Sequence, residues 1–179
     1  MRRRELAWVG KAMLLLLIAV VLQTMVVSRV SVLGVTADLL LILTVIVGLG
    51  RGSLEGAIFG FCVGIVHDTI FFQTLGVHAL IFVLVGYFVG IFLARFGTVN
   101  LWAVFIITGA SSFAAQLVFG LFQYAIGPRA EFFTVVGAQM IPEAVFDALI
   151  AVPICALLMR MRVISIPGSE QTAAAKGGE

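Results

Sequence analysis

Six stretches of apolar residues run along the chain, and short segments rich in glycine, arginine or proline separate them. A helix needs about 20 residues to cross the hydrocarbon core of a bilayer, and each stretch is close to that length. The pattern predicts an all-α polytopic membrane domain over 1–166 with six transmembrane helices, and a short disordered tail over 167–179. The predicted spans are 6–28, 30–49, 53–72, 75–94, 99–126 and 141–159.

The composition agrees with a membrane protein. Hydrophobic residues make up 62% of the 179 residues, and only 20 residues are charged, 11 basic and 9 acidic. Because a soluble domain carries about 25% charged residues, this composition excludes an ordinary cytosolic enzyme, a nucleic-acid-binding module and a disordered protein. Six spans use about 120 residues, which leaves no room for a soluble catalytic domain.

The basic residues predict an orientation. They lie at the ends of the apolar stretches, where their side chains can reach the membrane surface. With the N-terminus in the cytoplasm, nine of the eleven Lys and Arg residues face the cytoplasm, and only Arg29 and Arg129 face outward. The positive-inside rule favours this arrangement, so we expect both termini in the cytoplasm.

Acidic residues and histidines, in contrast, lie within the apolar stretches. A charge at the bilayer centre costs about 2.5–3.5 kcal/mol, so such residues need an explanation. One interpretation is interfacial: Thr36 caps the second helix with Asp38 in its first turn, and Glu143 follows Pro142 in the first turn of the last helix. The other is a polar recess open to the outside. Its candidate residues are Asp38, His67, Asp68, His78, Glu143 and Asp147.

Glycines recur at intervals of four residues and would share one helix face. Such a face lets another backbone approach closely, which is how helices associate in lipid. Two interpretations remain open: packing within a tight bundle, or a groove that receives a helix of a partner. The glycines concerned are Gly52, Gly56, Gly60, Gly64, Gly86 and Gly90.

No catalytic constellation is visible in the sequence. Ser111 and Ser112 have no histidine or lysine at a useful spacing. His67 and His78 flank a glycine-containing turn and could meet, but two histidines and one aspartate without a further clear ligand are a weak metal signal. Cys62 and Cys155 lie in apolar runs, so we expect buried packing residues. We therefore predict a protein that is not an enzyme, with no metal and no cofactor.

Several segments together resemble one family. They are ADLLL at 37–41, GLGRGSLEG at 48–56, GF at 60–61, Gly64, Asp68, LGVHAL at 75–80, GY at 86–87 and Gly90. This pattern, with the size, six spans and short loops, resembles the MreD family of bacterial rod shape-determining membrane proteins.

The resemblance implies a non-enzymatic scaffold of the cell-elongation complex. Members bind the bitopic protein MreC and with it link MreB filaments to the peptidoglycan synthase RodA and its transpeptidase partner. The family is also similar in fold to the substrate-binding membrane component of energy-coupling-factor transporters. That likeness gives an alternative, a substrate-binding subunit of a vitamin transporter.

Overall fold

The computed structural model of the chain describes residues 2–25, 36–71, 75–97, 99–126 and 140–161. Within these ranges it contains six α-helices and no strand. Arg29, Arg129 and the predicted tail 167–179 lie outside the described residues. The helices are α1 (Arg2–Met25), α2 (Leu39–Arg51), α3 (Ser53–Ile70), α4 (Val77–Phe96), α5 (Leu101–Ile126) and α6 (Ile141–Arg160).

Four of the six helices are long and apolar enough to cross a membrane: α3, α4, α5 over Leu101–Phe122, and α6. The apolar part of α1, Gly10–Met25, and α2 are shorter. At 1.5 Å per residue, the 13 residues of α2 extend about 20 Å, less than the hydrocarbon thickness of about 30 Å. Within the predicted second span, 30–49, residues 36–38 are not helical and α2 begins at Leu39; residues 30–35 lie outside the described residues.

The short helix α2 forms the core of the bundle. Every residue from Leu39 to Leu49 is buried, including Thr44. The helix contacts all five other helices, so it has no face for lipid or water. Its nearly uniform run of Leu, Ile and Val suits that position, because a helix that is apolar on all sides is stable only when it is surrounded.

The most extensive helix pair is α3 with α4, and glycines make their contact possible. A Cβ atom added at Gly60 or Gly64 would lie closer than 3.0 Å to backbone atoms of α4, and one added at Gly86 or Gly90 would approach the backbone of α3 or of the turn before it equally closely. Gly56 faces both Gly86 and, on α2, Gly48. The two helices therefore touch backbone to backbone, and α4 covers the glycine face of α3. Gly52, with φ of 98°, lies at the turn between α2 and α3 instead, and an added Cβ would meet nothing there.

Cys62 corrects an expectation. Cys155 is buried as predicted, but Cys62 is exposed. The reason is the register of α3: Gly60 and Gly64 face α4, and a residue midway between them points to the opposite side. Phe61 and Ile58 are exposed on that outer side as well.

The two ends of the bundle differ in charge. Arg51, Arg95 and Arg160 lie in the last turns of α2, α4 and α6. Asp38 and Glu143 lie where α2 and α6 begin, at the other end of those helices. These three arginines thus lie at the opposite end of the bundle from Asp38 and Glu143, although one acid, Glu55, pairs with Arg51 at the basic end.

Substitution of Gly60 tests the close approach of α3 and α4. We expect Gly60→Ala to lower the midpoint of thermal unfolding of the detergent-solubilised protein, because its methyl group would overlap the Phe82 carbonyl at a cost of about 1–3 kcal/mol. Gly10→Ala is the matched control, since no atom lies within 4 Å of the added Cβ. That variant should be as stable as the parent or slightly more stable. Equal midpoints for the two variants would contradict the packing described.

Candidate functional site

A cavity of about 440 Å³ lies at the acidic end of the bundle. All six helices or the residues directly before them contribute to its wall, and Phe71, Ile81, Phe82 and Phe119 supply apolar surface. The polar residues in the wall are Gln23, Thr36, Asp38, His67, His78, Ser112, Gln116, Glu143 and Asp147.

Asp38 caps the start of α2. Its Oδ1 atom accepts hydrogen bonds from the backbone N–H groups of Leu40 and Leu41, both at 3.0 Å. Asp38 is thus itself the N-cap residue, and the prediction of Thr36 as the cap with Asp38 in the first turn was wrong. The carboxylate satisfies two of the N–H groups that every helix start leaves without a partner.

Gln23 of α1 holds the same helix start from the side. Its Nε2 donates to the carbonyl oxygen of Ala37 at 2.9 Å, and its Oε1 accepts from the N–H of Leu39 at 2.9 Å. One buried amide thereby joins α1 to the backbone on both sides of Asp38. Gln23 is not among the residues predicted from the sequence, although a glutamine within an apolar stretch is a signal of a polar partner.

Asp147 of α6 joins α6 and α5 to α2. Its Oδ1 accepts the backbone N–H of Asp38 at 2.8 Å, and its Oδ2 accepts the hydroxyl of Ser112 on α5. Gln116 in turn donates to Ser112 at 3.1 Å. Asp147 is fully buried, and both of its oxygens are occupied by these donors. Asp147 lies one helical turn further into the bundle than Glu143, and its hydrogen bond to the Asp38 backbone explains this position.

Asp68 accepts backbone N–H groups at the start of α4, as Asp38 does at the start of α2. It is 1% exposed, and its Oδ2 accepts the N–H of Gly76 at 2.7 Å. Its Oδ1 lies 2.7 Å from Nδ1 of His78 and also faces the N–H of His78 at 3.3 Å. Because a carboxylate accepts, Nδ1 of His78 carries the proton and the ring orientation is fixed.

His67 lies directly against His78. The two ring centroids are 4.1 Å apart, and Phe71 and Phe119 pack against the outer sides of the pair. The Nδ1 atom of His67 is buried and has no hydrogen-bond partner within the described part of the chain.

Glu143 differs from the other acids. It lies in the first turn of α6 after Pro142, as predicted, and faces the cavity. Within the described ranges it makes no hydrogen bond. The cavity wall thus contains three carboxylates, Asp38, Glu143 and Asp147, and no Lys or Arg among its lining residues.

A comparison with models of protein families identifies the family of this chain. The model of the MreD family, described as rod shape-determining protein MreD, matches residues 2–162. The chain belongs to the MreD family. No curated protein and no solved structure matches it significantly. Every residue that lines the cavity falls within the matched range, so the cavity belongs to the MreD domain itself.

Membership of the MreD family implies a role in rod shape determination, and four membrane-capable helices suit a membrane protein. The residues predicted for the site separate into two groups. Asp38, His67, His78, Glu143 and Asp147 line the cavity, and Asp68 is buried directly behind His78. The glycines lie elsewhere, between α3 and α4 or at the turn before α3.

Asp147 provides a test of the hydrogen-bond network. Asp147→Leu should lower thermal stability clearly, because it leaves the Asp38 N–H and the Ser112 hydroxyl buried without an acceptor, at about 1–3 kcal/mol for each group. Asp147→Asn keeps one carbonyl oxygen for the Asp38 N–H and should lose less. The matched comparison is Glu143→Gln, which removes an acid from the same helix without breaking a described bond. If thermal unfolding in detergent gave the same midpoint for all three variants, the network would not support the fold.

Proposed function

We propose that the protein is a non-enzymatic scaffold of the bacterial cell-elongation complex in the cytoplasmic membrane. It docks MreC and with it links MreB filaments to peptidoglycan synthesis by RodA and its transpeptidase partner. Membership of the MreD family supports this proposal, since a rod shape-determining family is a structural one. The described ranges consist almost entirely of helices, so what they offer a partner is surface.

The cavity is the surface that we assign to MreC. The glycine face of α3 is covered by α4, so a partner helix would have to displace α4 to reach it. The cavity instead contains three carboxylates and, among the described lining residues, no Lys or Arg, and Glu143 has no hydrogen-bond partner among the described residues. A segment of MreC with cationic side chains would complement that charge.

The orientation of the bundle in the membrane is inferred from its basic residues. Arg51, Arg95 and Arg160 lie at the end of the bundle opposite the cavity. The positive-inside rule places that basic end in the cytoplasm and the cavity on the outer side of the membrane. MreC would then be held from outside, and the cytoplasmic end would remain accessible to the filament system.

The alternative is a substrate-binding subunit of a vitamin transporter. One observation favours it: a cavity of about 440 Å³ falls within the range of about 300–1,000 Å³ typical of small-molecule sites. The family match favours the scaffold, because it concerns shape determination and covers the entire cavity.

Charge reversal at Glu143 tests the proposal. Tagged MreC, co-expressed with this chain and purified in mild detergent, should recover the parent protein. Glu143→Lys should reduce that recovery at least tenfold, since it adds a positive charge to the surface assigned to MreC and breaks no described bond. Glu55→Lys is the matched control: it makes the same charge change at the opposite end of the bundle, where Glu55 pairs with Arg51. Its recovery should equal that of the parent.

The outcomes separate the two functions. Failure of MreC to recover the parent protein would refute the scaffold. Equal recovery of both variants would refute the cavity as the docking surface. A tightly retained vitamin in the purified protein, without any recovery by MreC, would favour the transporter.

A further inference from the structure

The chain contains only two histidines, and the fold brings them together. His67 lies near the end of α3 and His78 near the start of α4, and both side chains line the cavity. One potential ligand atom from each of His67, Asp68 and His78 lies within 4.8 Å of the others. Ligands on one tetrahedral Zn²⁺, at 2.0–2.1 Å from the metal, are about 3.3 Å apart. The spacing in the structure exceeds this value by at most about 1.5 Å.

Asp68 prepares His78 as a metal ligand. It holds Nδ1 of His78 at 2.7 Å, so the proton is on Nδ1 and the lone pair is on Nε2. A carboxylate behind a histidine in this way fixes the ring and strengthens the ligand, and it is the usual arrangement around histidine-bound metals. Asp68 itself is anchored by the backbone of Gly76, which keeps the pair rigid.

His67 has a nitrogen that lacks a partner. Its buried Nδ1 accepts from and donates to nothing within the described residues. Leaving a buried polar atom without a partner costs about 1–3 kcal/mol, so such an atom in a native structure needs a reason. A bound cation would supply one.

The remaining wall favours a cation over an anion. Among the described residues, Glu143 has no hydrogen bond, and those that line the cavity include acids but no Lys or Arg. Two imidazoles with a carboxylate suit Zn²⁺ and similar divalent transition metals, whereas Mg²⁺ and Ca²⁺ prefer a set of oxygens alone.

We propose that the cavity is a binding site for a divalent transition-metal ion of the zinc class, with His67 and His78 as ligands and Asp68 as the positioning carboxylate of His78. A carboxylate of the same cavity wall completes the set. This proposal differs from the prediction of no metal, which was made because the sequence shows no clear third ligand. Binding of the ion does not require MreC, so the metal site can be tested separately from the proposed function.

Titration with Zn²⁺ alone tests the site. The full chain, carrying a tag without histidine, is placed in lipid nanodiscs, stripped with a chelator and titrated by calorimetry. The parent should bind one Zn²⁺ saturably. His67→Gln and His78→Gln should each weaken binding at least tenfold, and the double variant should abolish it. Gln116→Leu is the control, because Gln116 lines the same cavity but its amide is not a zinc ligand.

A second measurement needs no variant. In the parent labelled with ¹⁵N-histidine, only two imidazoles give signals, and Zn²⁺ should shift both. The proposal is overturned by any of three results: no saturable Zn²⁺ binding, histidine signals that do not move, or a double variant with the affinity of the parent. Binding of Ca²⁺ as tight as that of Zn²⁺ would also overturn it, since the acids alone would then hold the ion.

Discussion

The start of α2 lies inside the bundle, and its backbone N–H groups need acceptors there. Water cannot supply them within a membrane, where an unsatisfied backbone group costs several kcal/mol. Asp38 accepts from Leu40 and Leu41, Gln23 accepts from Leu39, and Asp147 accepts from Asp38 itself. Since α2 contacts every other helix, these few bonds fix the position of the element on which the bundle is assembled.

The same constraint explains why acids occur in so apolar a chain. Asp68 serves the first turn of α4 as Asp38 serves that of α2, through the N–H groups of Gly76 and His78. The positive end of a helix dipole also favours a carboxylate at these places. The interfacial interpretation and the polar recess are therefore compatible: carboxylates that act as caps also form the wall of a cavity, because several helices begin or end at the same level.

Much of this arrangement is visible in the sequence, and the reason for the rest is physical. The helical class of the described ranges, the basic ends of three helices and the first-turn position of Glu143 follow from local patterns. The four-residue glycine spacing indicates a close helix contact, but it does not distinguish packing within the bundle from a groove for a partner helix. The partner of Asp147 is a backbone group 109 residues away, and no spacing rule connects the two. Likewise, Gln23 meets Ala37 and Leu39 only because α1 packs on α2.

The polar groups at the cavity divide into those with hydrogen-bond partners and those without one among the described residues. Asp38, Asp68 and Asp147 are held by backbone or hydroxyl donors, so their removal disturbs the fold before it disturbs any binding. Glu143 and the Nδ1 atom of His67 have no such bond within the described chain. An occupant attracted by these two groups also lies beside Asp38, the cap of α2. A partner or an ion bound in the cavity would therefore lie beside the cap of the one helix that contacts all the other described helices.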